Sequence, residues 1–177
     1  LDSRFVQEFW AFVKAGQYQV SEKSTGKRVF YRFSAPANPS YPEMLELFSR
    51  NPENLVLGKD AHLTPIPMDQ ASSSLSAILL DADYYGFIHE HKAVLDGLSL
   101  VTPECLIPLK ASAWLDLSRR KVDGERIDSK NVKKHKNDVF RLLQVLSPET
   151  RIELPSSVYA DMRLFCDAMM RRPDLPL

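Results

Sequence analysis

Cysteine is scarce in this chain. Only Cys105 and Cys166 occur among 177 residues, and they form no CxxC pair. Two separated thiols build no disulfide framework, so a reducing compartment, the cytoplasm, is expected. Glycine is scarce too. Its six copies make no GxGxxG and no phosphate loop. Long apolar runs are missing: none approaches the roughly 20 residues that a membrane-spanning helix needs. The first residues, Leu1-Asp2-Ser3-Arg4, lack the basic and apolar order of a leader peptide. His89-Glu90-His91 sets two histidines two apart, which is the wrong spacing for one helix face, and zinc is rejected there. No Ser-His-Asp or Cys-His arrangement can be read.

What is present is ordinary for a globular protein. Hydrophobic residues make up 44% and charged residues 26%. The length suits one domain or two small lobes with a real core. Formal net charge is zero, but it is unevenly placed. From Arg119 to Lys136 there are eight Lys or Arg against three acids, so the segment carries +5 and the rest of the chain −5. A local excess of this kind fits an anionic partner such as RNA or a nucleotide phosphate. A solvated helix face is the plainer reading of the same charges.

The patterning predicts an α+β protein: a small mixed-sheet lobe over 1–101, then a helical lobe over 102–177. A helix capped at Asp2 or Ser3 runs through Ala15, with Gly16 as its stop. A hairpin follows over 18–34, turning at Ser24-Thr25-Gly26. Met44 to Phe48 reads as a strand, Leu55 to Leu57 and His62 to Ile66 as weaker ones. Pro65 and Pro67 confine the last to an edge. Leu75 to Leu80 fits strand or helix. Tyr84 to Leu95 reads as a helix ending at Gly97, with Leu98 to Val101 extended. Three helices complete the chain. The first runs from Pro103 to about Arg120, kinked or started at Pro108. The second runs from Asp128 or Ser129 to Leu146. The third starts at Ser156 or Ser157 and ends near Met170, with Val158, Met162, Phe165, Cys166 and Met169 as its apolar positions.

Several side chains stand out. On the helix 103–120, Leu106, Leu109, Ala113, Trp114 and Leu117 share an arc, and Lys110 falls near its centre. An ammonium there needs an acidic or phosphate partner, or it must snorkel out. On the next helix His135 lies within the stripe of Val132, Val139, Leu142, Leu143 and Leu146. Asp138 sits at its edge. His135 alone is expected to be a hydrogen-bonded core histidine. Glu46, the charged residue of strand 44–48, is either at a sheet end or part of a metal-binding carboxylate set. Asp81 and Asp83 form a DxD that fits Mg²⁺ binding or a helix cap.

Two runs carry a resemblance. They are Leu106-Ile107-Pro108-Leu109-Lys110-Ala111-Ser112-Ala113-Trp114, followed by Arg119-Arg120-Lys121, and Lys133-Lys134-His135-Lys136-Asn137-Asp138-Val139. Together they resemble the C-terminal motifs of AbiEii/MenT-type nucleotidyltransferase-like proteins of the polymerase-β-like superfamily. The likeness spans about residues 40–147. It implies a nucleotidyltransferase-like fold and transfer of a nucleotidyl group from an NTP, with Mg²⁺, to an acceptor such as tRNA or another RNA. It implies Lys110 as the active-site lysine, Asp138 as the later aspartate and Glu46 as the third, metal-binding carboxylate. Arg119, Arg120, Lys121, Lys133, Lys134 and Lys136 would hold nucleotide or RNA. The family includes toxins of toxin–antitoxin systems, so an antitoxin protein is an implied partner. The family's Gly-Ser turn and DxD strand are not found in residues 1–35. The main metal ligands are therefore expected ahead of Leu1, and this stretch alone is expected not to catalyse. A non-catalytic domain that binds RNA or protein through the basic patch is the alternative.

Overall fold

The computed structural model describes residues 3–22, 28–50, 63–65 and 76–171. The chain is a mixed α+β protein in two compact units, 1–81 and 82–177.

The first unit opens with α1 (Ser3–Ala15). Its period buries Val6 and Val13 against Phe33, with Phe9 and Trp10 meeting the Phe33 ring edge-on at 5.3 and 5.7 Å between centroids. The helix stops at Gly16 for a steric reason. A Cβ there would lie 2.6 Å from the Tyr18 ring and 2.8 Å from Tyr41. Gln17, not the glycine, takes the left-handed conformation. Tyr18 then donates its hydroxyl to the Pro42 carbonyl at 2.5 Å.

The expected hairpin forms from β1 (Gln19–Glu22) and β2 (Arg28–Ser34), and β3 (Met44–Glu46) adds to it antiparallel. The strand expected over 44–48 is split. Met44–Glu46 pairs with β2, whereas β4 (Phe48–Arg50) pairs in parallel with β6 (Ser76–Leu80) in a second sheet. The short β5 (Leu63–Pro65) lies antiparallel at the edge of that sheet, as its proline requires. Leu75 to Leu80, open between strand and helix, is the central strand β6. The candidate strand 55–57 and the turns at 24–26 and 72–74 lie outside the described residues.

The second unit begins with α2 (Ala82–His91). This helix ends earlier than its apolar pattern suggested. Val94 and Leu95 belong instead to β7 (Ala93–Leu95), which pairs with β8 (Leu98–Leu100). Asp96 and Gly97 both have positive φ, 50° and 79°, as a two-residue hairpin turn demands. The unit boundary therefore precedes α2 and does not fall at 101/102. Tyr84 and Phe87 of α2 are buried, and the Tyr84 hydroxyl donates to Asp161 at 2.9 Å.

Three helices form the rest: α3 (Pro103–Val122), α4 (Ser129–Leu143) and α5 (Ser156–Met170). Pro103 occupies the first turn of α3, where no N–H is needed. Pro108 neither starts nor ends α3, which continues through it. Asp128 caps α4 by accepting from the Lys130 N–H at 2.9 Å. The α5 cap comes from elsewhere in the chain. Asp83, in the first turn of α2, accepts from the Ser157 N–H at 3.2 Å. Ile107, Ala111, Val139 and Phe165 make the core, with Trp114 meeting Phe165 edge-on at 5.3 Å. Leu143 is 48% exposed and Cys166 is exposed, so neither belongs to the apolar stripe assigned to it.

Candidate functional site

The most buried residues of α3 are Cys105, Ile107, Pro108 and Ala111. At roughly 100° per residue this face is centred nearly opposite the arc within which Lys110 stands. Lys110 therefore lies off the most buried face. Its side chain is 29% exposed, and its Nζ sits 3.3 Å from Asp138 Oδ2 on α4. Asp138 is 18% exposed and has a longer contact of 3.8 Å with Arg141. The ammonium has the acidic partner that its position demanded.

His135 stands one turn before Asp138. Its Nδ1 is buried and has no hydrogen-bond partner, so the expected satisfied histidine is not found at this atom. Burial lowers its basicity, and the positive charge of Lys110 lowers it further. Asp138 opposes both effects, and Lys134 adds to them. The ring is held toward its neutral form beside an ion pair. Such a trio presents an ammonium for phosphate oxygens, a carboxylate that orients it and a neutral imidazole.

The basic run divides in two. Arg119 is held by Asp116 at 2.9 Å, and Arg120 by Glu125 at 2.7 Å and Asp116 at 3.4 Å. These guanidiniums are spent on local carboxylates. Lys134 is exposed. Lys121, Lys133 and Lys136 line one open groove beside α3, α4 and α5, of about 830 Å³, and Arg171 joins them. Lys121 donates to Ser129 at 2.6 Å. The floor is apolar: Trp114, Val132 and Met169. Arg171 and Met169 were not signalled by the charge count, which stopped at Lys136.

Glu46 lies in the first unit and is bonded to Arg32 across β2 and β3, at 2.6 Å. Register sets the two opposite each other. Its carboxylate is thus engaged in a cross-strand ion pair. Among the described residues, no group of three or more His, Cys, Asp or Glu is gathered to hold a metal. Asp83 accepts from the Ser157 N–H at the start of α5, whereas the cap reading of the DxD concerned the helix beginning at Tyr84. The Cys105 thiol is buried, and burial raises its pKa, which suits a packing role. No helix among the described residues is long and apolar enough to cross a membrane.

Comparison with known protein families, with curated proteins and with solved structures finds no match to this chain.

Proposed function

We propose that this chain is part of a nucleotidyltransferase-like protein that moves a nucleotidyl group from an NTP to an acceptor such as RNA. The observation that carries this reading is the partly buried Lys110–Asp138 pair, with its 3.3 Å contact, at the two positions the resemblance singles out. A lysine held at a helix crossing by one carboxylate is pre-oriented, so less entropy is lost when a triphosphate takes over the ammonium. In the transfer the oxygen of an acceptor hydroxyl bonds to the α-phosphorus and gives its proton to solvent, the bond to the bridging oxygen breaks and pyrophosphate leaves. Lys110 contacts the triphosphate, and Asp138 keeps the ammonium aimed. Mg²⁺ supplies charge neutralisation when it arrives with the NTP. The described residues do not fit a metal site of their own, and no step is assigned through one. A toxin role, with an antitoxin as partner, belongs to the same reading.

The test is a titration of the protein with Mg²⁺-NTP. Binding should weaken about tenfold or more in Lys110→Ala, the loss of one charge-assisted phosphate contact. No binding by the protein, or equal binding by the variant, would sink the proposal.

A further inference from the structure

We infer that the groove lined by α3, α4 and α5 is a binding site for a short single-stranded nucleic acid. Its phosphates meet Lys121, Lys133, Lys136 and Arg171, and its bases lie on the apolar floor that Trp114 begins. The inference extends the acceptor half of the proposed function, but it does not depend on Lys110.

Three observations carry it. The first is charge. Among the described residues four cations line the groove, and no carboxylate does. The neighbouring Arg119 and Arg120 have their own acids, whereas Lys121, Lys133 and Lys136, three of the run's other six cations, line the groove. A polyanion is the complementary partner, because each phosphate contacted releases condensed counterions. The second is the floor. Trp114, Val132 and Met169 form an apolar surface under that cationic rim. A bare phosphate gains nothing from such a surface, whereas a nucleobase gains on the order of 1–3 kcal/mol from packing on an aromatic side chain. The third is size. A volume of about 830 Å³ falls in the range of sites that enclose compact organic ligands, and it admits a nucleotide together with part of its neighbour.

The occupant follows from these features together. Charge alone would suit any polyanion, and the floor alone would suit any apolar group. A strand that alternates anionic linkages with flat apolar faces uses both. Stacking inside a duplex would hide those faces, so the strand is single. Lys121 is steadied by its bond to Ser129 and offers a fixed charge at one part of the rim.

The experiment uses the full chain and labelled oligomers of about six nucleotides, one RNA and one DNA, without NTP or Mg²⁺. Anisotropy reads binding, and tryptophan emission in a Trp10→Phe background reads Trp114. Both oligomers should bind at low salt and quench Trp114. Inorganic tripolyphosphate should bind more weakly and leave the emission unchanged. Lys133→Gln with Lys136→Gln should weaken the oligomers about tenfold or more and reduce the salt dependence by about 1.4 in logarithmic slope. Both positions are on the helix surface, and circular dichroism checks that the variant is folded. Tighter RNA than DNA would identify RNA as the source. No binding, binding without quenching, binding unchanged in the double variant, or equal competition by a poly-glutamate peptide would each overturn the inference. A failed Mg²⁺-NTP titration would leave it standing, since no nucleotide triphosphate enters this measurement.

Discussion

His135 illustrates what a single side chain can do to a stability profile. Its folded-state pKa is lowered, first by burial and then by Lys110. In the unfolded chain the ring regains its ordinary value near 6.5. Between those two values the unfolded state holds more protons, so stability rises with pH through that window. Below the folded-state value the penalty is complete and constant. Acidification from pH 7.5 to 5 should therefore destabilise residues 82–177. Urea midpoints at the two pH values should differ by less in His135→Leu than in the parent. Equal differences would show that other groups carry the acid sensitivity. Periodicity set Lys110 near the centre of one apolar arc and Asp138 at the edge of another stripe, and their place in one site came from the resemblance. The depth of Lys110 was not legible. Cys105, Ile107, Pro108 and Ala111 make the buried face, and a proline and a cysteine carry little weight in an apolar arc.

Helix ends depend on residues far away in sequence. The α5 N-terminus takes its side-chain cap from Asp83, 74 positions earlier, although Ser156 and Ser157 stand at the helix start. Asp83→Ala should cost about 1 kcal/mol, the usual worth of an N-cap, measured by thermal or urea unfolding. Phe165→Ala should cost about 3–5 kcal/mol, because Phe165 is 3% exposed and touches both Trp114 and Phe140. A loss under 1 kcal/mol in the latter would mean that the helices repack around the gap. The helices themselves were readable from caps and period: Asp128 for α4 and Pro103 for α3 behave as such residues should. Local pairing decided where reading failed. Val94 and Leu95 fit a helical stripe, but Asp96-Gly97 is a stronger instruction, and the hairpin prevails. In the same way a net +5 over 119–136 overstated the available charge. Asp116 sits three and four residues before Arg119 and Arg120, just outside the counted window, and Glu125 inside it is bonded to Arg120.

The division of the chain at 81/82 makes its own prediction. Residues 82–177 expressed alone should give a cooperative unfolding transition, because Tyr84 and Phe87 remain with the helices that cover them. Residues 102–177 should not, since they lack both the Tyr84–Asp161 bond and the Asp83 cap. Equal stability of the two pieces would show that α2 adds nothing to the second unit. Although β7 was read as helix and β3 and β4 as one strand, the α+β class followed from period and punctuation. The join between lobes did not, because no glycine- or proline-rich linker marks it. Leu80-Asp81-Ala82 passes from strand to helix in one step.

The β7–β8 hairpin has one more consequence. Val94, Leu95 and Leu98 are each more than 60% exposed, and among the described residues the two strands pair only with each other. Two strands without a covered face are marginal in water. Deuterium should therefore replace the amide hydrogens of 93–100 well before those of α3 and α4. The second unit would loosen from this ribbon while its helices stay shut.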